Sequence, residues 1–364
     1  MKLRELCDKL EVWAPLAYQE SYDNSGLIVG DLDQDLTGVL VSLDCIEAVV
    51  DEAIASDCNA IVSHHPIVFK GLKTLTGKNY VERTILKAIK NDIALYAIHT
   101  NLDNIDTGVN KKIADQLGLI NTQVLAPKRG LLKKLITFAP KDNVEEVRAA
   151  LFAVGAGALG SYSECNFSVE GVGTFKGSED SNPVIGKKGI REQVSEERIE
   201  LIFHSHIEPK VLSALKLSHP YEEVAYHIIA VDNANQHVGS GMIGELKEPI
   251  LDLDFLKSTK ENLKTDCIRY TRLLNKKVKK IAFCGGSGSF LINAARQSGA
   301  DVFITGDFKY HEFFDAEKSI VIADIGHYES EQYTIDLIAD FLRKNFPRFA
   351  VHLSKVNTNP INYL

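Results

Sequence analysis

The chain has 364 residues, 45% hydrophobic and 25% charged, a composition that excludes a disordered polypeptide and allows a substantial buried core. With 41 Lys and Arg against 49 Asp and Glu, the formal net charge is −8, which disfavours a protein held to nucleic acid by its overall field. Six cysteines stand singly without a C-x-x-C pair, and neither a signal-peptide core nor an apolar run long enough to span a membrane is present, so a soluble, cytoplasmic protein with reduced thiols is expected.

From Thr37 to His65 an apolar run (GVLVSLD), a helical stretch (IEAVVDEAIASD) and a second apolar run (NAIVSHH) predict a β-α-β unit. A helix (VERTILKAIKND), a strand (IALYAIHT) and another helix (TGVNKKIADQLGL) follow, as in an α/β layer structure with crossover helices. The grammar then changes. LLKKLITFAP reads as a strand, KDNVEEVRAALFAVGAG as a helix and SYSECNFSVEGVGTFKG as one or two strands, followed by the loop GSEDSNPVIGKKG. RIELIFHSH, EPKVLSALKLSH and YEEVAYHIIAVD then read as strand, helix and strand. This β-α-β-β-α-β order is that of a ferredoxin-like split unit. The Gly-rich polar segment NANQHVGSGMIGELKEPI is expected to be a return linker.

The C-terminal third repeats the opening grammar: KKIAFC, a glycine-rich turn, the helix SFLINAARQSG, the strands ADVFITGD and SIVIADIGH, and a final helix. NAIVSHH corresponds to ADVFITGD, and ALYAIHTNLD to VIADIGHYES, which predicts an internal duplication. The expected fold is therefore α/β, with duplicated repeats forming one body (residues 1–126 and 234–364) interrupted by an α+β insert at residues 127–233.

The strongest chemical signal is Ser63-His64-His65-Pro66, directly after a predicted strand, because open α/β sheets bind ligands at strand carboxyl ends. Successive side chains alternate along an extended chain, so the two imidazoles serve two metals, or one metal from a kinked backbone. Two further strand ends carry Asn101-Leu102-Asp103-Asn104 and His327 with Glu331; at i, i+4 on a helix starting at His327, the latter pair shares a face. Imidazole and carboxylate without thiolate suit zinc, iron or manganese. Five such ligands are too many for one open ion and suit two bridged by a carboxylate. Lys309 and His311, also after a predicted strand, are candidates for proton transfer or anion binding. His99 is read as orienting the site, His204 and His206 as sharing one strand face, and the Cys284–Ser289 turn as a tight strand-to-helix connection rather than a phosphate loop.

These residues resemble the NIF three (NGG one interacting factor three-like) family, whose bacterial members carry the name GTP cyclohydrolase 1 type 2 homologue. The resemblance rests on the opening Asp23-Asn24-Ser25-Gly26-Leu27-Ile28-Val29-Gly30, the Ser63–Pro66 segment and the Thr100–Asp106 region. It extends to Thr305-Gly306-Asp307-Phe308-Lys309-Tyr310-His311 and to Asp324 through Glu331, so that it runs almost end to end. It implies a two-metal site in which His65 and Asp103 bind one ion, His64 and His327 the other, and Glu331 bridges them. It further implies a toroidal homohexamer with the metals facing its inside, and an insert resembling PII and CutA proteins, carried here by Ser218-His219-Pro220-Tyr221-Glu222-Glu223. The expected function is a dinuclear metal-dependent hydrolase, GTP cyclohydrolase type 2-like, attacking a nucleotide or other phosphate-bearing small molecule through a metal-bridging hydroxide. The alternatives are a metal-dependent scaffold or sensor regulated through the insert, and a toroid contacting nucleic acid, which the charge disfavours.

Overall fold

The computed structural model describes residues 1–364, and they divide into two compact units, residues 1–126 with 237–364 and residues 127–236. The architecture is mixed α/β with three sheets.

In the first unit, a five-stranded sheet runs in the order Gly26–Val29, Ala94–Ala97, Ala60–Ser63, Val39–Ser42, Val351–Leu353. The last four strands are parallel, and Gly26–Val29 pairs antiparallel at the edge. The three central strands are short, apolar and buried at every position, the pattern of parallel strands covered on both faces. Their crossover helices Glu47–Ala55 and Tyr80–Lys90 contribute Val49, Val50, Ala53 and Ala88 to a core shared with Leu40, Ile61 and Leu95. Each large apolar side chain so buried contributes roughly 1.5–3 kcal/mol.

The second sheet of this unit has the order Arg269–Tyr270, Val321–Asp324, Val302–Gly306, Lys277–Ser287, Asn235–Leu251, Ile120–Lys128. Lys277–Ser287, Val302–Gly306 and Val321–Asp324 are parallel, and an antiparallel strand pairs with each outer member of this trio. The expected return linker is here a strand of 17 residues, Asn235–Leu251, paired with Lys277–Ser287. Its glycines serve close packing: a Cβ on Gly244 would lie 3.0 Å from Thr122, and one on Gly241 would lie 2.9 Å from the Phe283 carbonyl.

The second unit is one antiparallel sheet, ordered Phe167–Lys176, Arg191–His204, Leu132–Pro140, Tyr226–Val231, with helices Val144–Ala153 and Glu208–Ser218. Its core joins Leu135, Val147, Leu151, Leu201, Phe203 and Leu215. His204 ends its strand and His206 lies in the 3-10 turn Ser205–Ile207, so the two do not share a strand face, although their rings lie 5.7 Å apart. All six cysteines are free thiols. No helix is long and apolar enough to cross a membrane.

Candidate metal centre

Strand ends of both sheets in the first unit converge on a cleft of about 530 Å3. His64 and His65 follow Ala60–Ser63, and Asp103 sits in the short helix Thr100–Asp103, which comes after Ala94–Ala97. His327 opens the helix His327–Glu331 after Val321–Asp324, and the i, i+4 spacing brings His327 Nε2 within 3.1 Å of Glu331 Oε2.

Each imidazole is oriented through its other ring nitrogen. His64 Nδ1 donates to the Ile98 carbonyl at 2.8 Å, His65 Nδ1 to Asp44 Oδ1 at 2.8 Å and His327 Nδ1 to Asp307 Oδ2 at 2.7 Å. All three Nε2 atoms are thereby turned toward the cluster, the arrangement by which outer carboxylates and carbonyls fix ligand histidines. His65 Nε2 lies 3.0 Å from Glu331 Oε2 and 3.4 Å from His327 Nε2. His64 Nε2 lies 3.5 Å from Asp103 Oδ1 and 3.8 Å from Glu331 Oε1.

The ligand atoms form two groups with Glu331 in common: His65, His327 and Glu331, and His64, Asp103 and Glu331. The family resemblance divides the same five residues otherwise, with His65 joined to Asp103 and His64 to His327, and both divisions share Glu331. The two imidazoles lie side by side, ring centroids 4.8 Å apart, with His64 turned inward to Ile98 and fully buried and His65 leaning outward to Asp44. His64 Nε2 and Asp103 Oδ1 are buried without a hydrogen-bond partner. Leaving such groups unsatisfied costs roughly 1–3 kcal/mol each, and a divalent cation between them would satisfy both. By donor chemistry and by these orphaned atoms, the residues fit metal ions.

The electrostatics agree. Burial would raise the Glu331 carboxyl, but the facing imidazoles, His327 first, hold it well below the usual carboxylate range. Burial and then the Glu331 charge push Asp103 up. For His65, burial favours the neutral ring, but hydrogen bonds to Asp44 and Glu331 outweigh it and push its pKa up to about 9. The Glu331 charge, opposed by burial, pushes His327 up to about 11.

A fourth imidazole belongs to the same cluster. His99 Nδ1 is 2.7 Å from Asp23 Oδ1, and the Asp23 carboxylate also accepts from the Thr100 amide at 3.0 Å and from the Thr100 hydroxyl. Its ligand atom groups with those of His64 and His65. Asp23, Asp44 and Asp307 carried no role in the sequence reading, yet each holds a histidine; the available signal was an acidic residue at or beside the strand ends that supply the ligands. Lys309 and His311 do not line the cleft: Lys309 precedes the 3-10 segment Tyr310–Ala316, and His311 packs against Tyr310 and Phe314. Gly285 and Gly286, expected in a turn, belong to the strand Lys277–Ser287 and make room for ligands, since a Cβ on Gly286 would overlap Glu331 Oε1.

The sequence matches the family described as Duf34/NIF3 (NGG1p interacting factor 3) over residues 1–360. It is similar to a Bacillus subtilis (strain 168) protein named "GTP cyclohydrolase 1 type 2 homolog", with 39% identity over 367 aligned residues covering 99% of this chain and 98% of the relative. Among solved structures, a Bacillus cereus protein related to NIF3 is 38% identical with a TM-score of 0.86, the match covering 100% of this chain and 99% of that one. A Staphylococcus aureus protein is 34% identical with a TM-score of 0.79 and the same coverage. This chain belongs to the DUF34/NIF3 family.

Proposed function

We propose that the cleft is the centre of a dinuclear metal-dependent hydrolase acting on a nucleotide-like small molecule, in line with the name carried by the Bacillus subtilis relative. The observation that carries this reading is the pair of three-ligand groups sharing Glu331, with every ligand histidine already oriented through Nδ1. In it, His64, Asp103 and Glu331 would hold one divalent ion, and His65, His327 and Glu331 the other. Zinc, iron and manganese all match this donor set. Two such ions, when bound, supply charge that acidifies water and polarises a substrate oxygen.

The chain's own residues do the rest. Asp44 and Asp307 keep His65 and His327 in the required tautomer and orientation. His99, braced by Asp23, leaves Nε2 free to carry a proton between solvent and the reacting group. Tyr22 and Phe69, with ring centroids 6.1 Å apart, line the cleft with Phe290 and offer flat apolar surfaces to a planar base. No Lys or Arg lines the cleft, so substrate phosphates would be neutralised by the ions rather than by basic side chains.

Two finer features of the fold belong to the same reading. Each sheet of the first unit contains three adjacent parallel strands whose second and third members lead into the cluster, to His64–His65 and Asp103 in one sheet and to Asp307, which holds His327, and His327 itself in the other, which supports an internal duplication. The sheet order of residues 127–236 supports a ferredoxin-like insert of the PII/CutA kind. A toroidal homohexamer completes the proposal, and light scattering tests it.

The central experiment is metal analysis of anaerobically purified protein, followed by a turnover screen of nucleotides with each metal restored. We expect about two divalent ions per chain and a turnover that His65→Ala and Glu331→Ala abolish while the protein stays folded. Protein that binds no metal, or turnover indifferent to chelation, would overturn the reading.

A further inference from the structure

The second unit contains a larger cavity, about 1050 Å3, that the proposed metal chemistry does not use. Tyr221, Glu222 and Glu223 of the His219-Pro220-Tyr221-Glu222-Glu223 segment line one of its walls. His219 Nδ1 accepts from the Tyr221 amide at 3.1 Å, and its Nε2 donates to the Phe138 carbonyl at 2.8 Å. A ring that accepts at one nitrogen and donates at the other is neutral. So pinned, it presents the Tyr221 hydroxyl, which donates to Glu196 Oε1 at 2.8 Å.

Glu196 is 9% exposed and lines the cavity. A hydroxyl holds one of its oxygens, and no Lys, Arg or His nitrogen stands within ion-pair distance of either. The neighbouring Arg198 is engaged with Glu200 at 2.6 Å. The other oxygen, Oε2, lies where a Cβ on Gly173 would be, so the glycine makes room for the carboxylate. Buried carboxylates in proteins are ordinarily paired with a cation, and this one has none. Around it stand Phe138, Phe175 and Tyr221, the last two with rings 5.8 Å apart edge to face. Glu222 accepts from the Asn182 amide at 2.8 Å and so ties the 177–190 loop to this wall.

We infer that this cavity is a small-molecule site for an organic cation, an amine, amidine or guanidinium carried on a flat apolar body. The positive group takes the open oxygen of Glu196, and the body packs among the aromatic rings. Asp180, Glu222 and Glu223, also in the lining, outnumber its two basic residues, Lys176 and Arg198, and so keep the cavity's charge negative. This site is separate in residues and chemistry from the metal cleft, so either can fail without the other.

The test is isothermal titration calorimetry of the full-length protein with benzamidine as the cationic probe and benzoate as its anionic counterpart of the same shape. Benzamidine should bind at concentrations of about 1–5 mM or below, and benzoate should not. Glu196→Gln should weaken benzamidine about tenfold to a hundredfold, the worth of a charge-assisted hydrogen bond. Gly173→Ala, whose Cβ displaces the same carboxylate, gives the second measurement should the first variant not fold. Chelation of metal should leave the affinity unchanged. Absence of benzamidine binding, equal binding of benzoate, indifference to both variants, or loss of binding on chelation would each overturn the assignment.

Discussion

At Gly286 the backbone takes φ +61° and passes so close to Glu331 that any Cβ would meet the carboxylate shared by both ligand groups. Gly286→Ala therefore has two effects: a left-handed conformation that costs about 1 kcal/mol for a non-glycine residue, and displacement of Glu331. Gly299→Ala isolates the first, since Gly299 has φ +76° with nothing near its would-be Cβ. We expect Gly286→Ala to lose metal affinity about tenfold or more, the scale of disturbing a ligand's support, while Gly299→Ala keeps it. Metal content by mass spectrometry after dialysis decides; equal retention in both variants would show that Glu331 is not set by this glycine. The five ligand-type residues were legible in sequence because each stands at or just beyond an apolar strand, where side chains face a common edge. The orientation of His64 and His65 was not, because it is set by contacts to Ile98 and Asp44 that are 34 and 21 residues away. Asp44 and Asp307 stayed hidden for the same reason, a single acid after a strand being indistinguishable from a solvated one until its partner is placed.

The helix Tyr80–Lys90 shows how one element is anchored. Asn79 caps it by accepting from the Glu82 amide at 2.9 Å, and Glu82, buried, turns back to accept from the Thr76 amide at 2.8 Å and the Lys78 amide at 3.2 Å. These amides, Thr76 first, lower the Glu82 pKa to about 2 from the ordinary 4.5. A carboxyl depressed on folding stabilises the native state above its unfolded pKa and loses that contribution as pH falls through the folded one. Urea unfolding of wild type and Glu82→Gln should therefore differ most above about pH 4.5 and converge toward pH 2. A gap that is constant with pH would mean that the charge contributes nothing. The helix was readable from the stretch VERTILKAIKND, whereas the 74–79 loop that Glu82 secures has no periodicity to announce it. Strand Asn235–Leu251 was misread for the opposite reason. Its glycines, which look like a flexible linker in one dimension, are there because Thr122 and Phe283 approach the chain closely.

At the scale of the whole chain, each unit has a core of its own. The cluster around Leu135, Leu201 and Phe203 draws only on residues of the second unit, and the clusters around Leu40 and Phe303 only on the first. All five ligand-type residues lie in the first unit, on either side of the inserted segment in sequence. The strands that lead into and out of the insert, Ile120–Lys128 and Asn235–Leu251, are neighbours in the six-stranded sheet. A short glycine-containing turn between them would replace residues 127–236 at a small closure cost, because loop entropy depends only weakly on length. The shortened protein should unfold in a single cooperative transition and bind as much metal per chain as the full-length form, while losing benzamidine binding entirely. Calorimetric unfolding together with metal analysis checks this. A shortened chain that folds but takes up no metal would show that the centre needs the insert, and one that retains benzamidine binding would move that ligand out of the second unit.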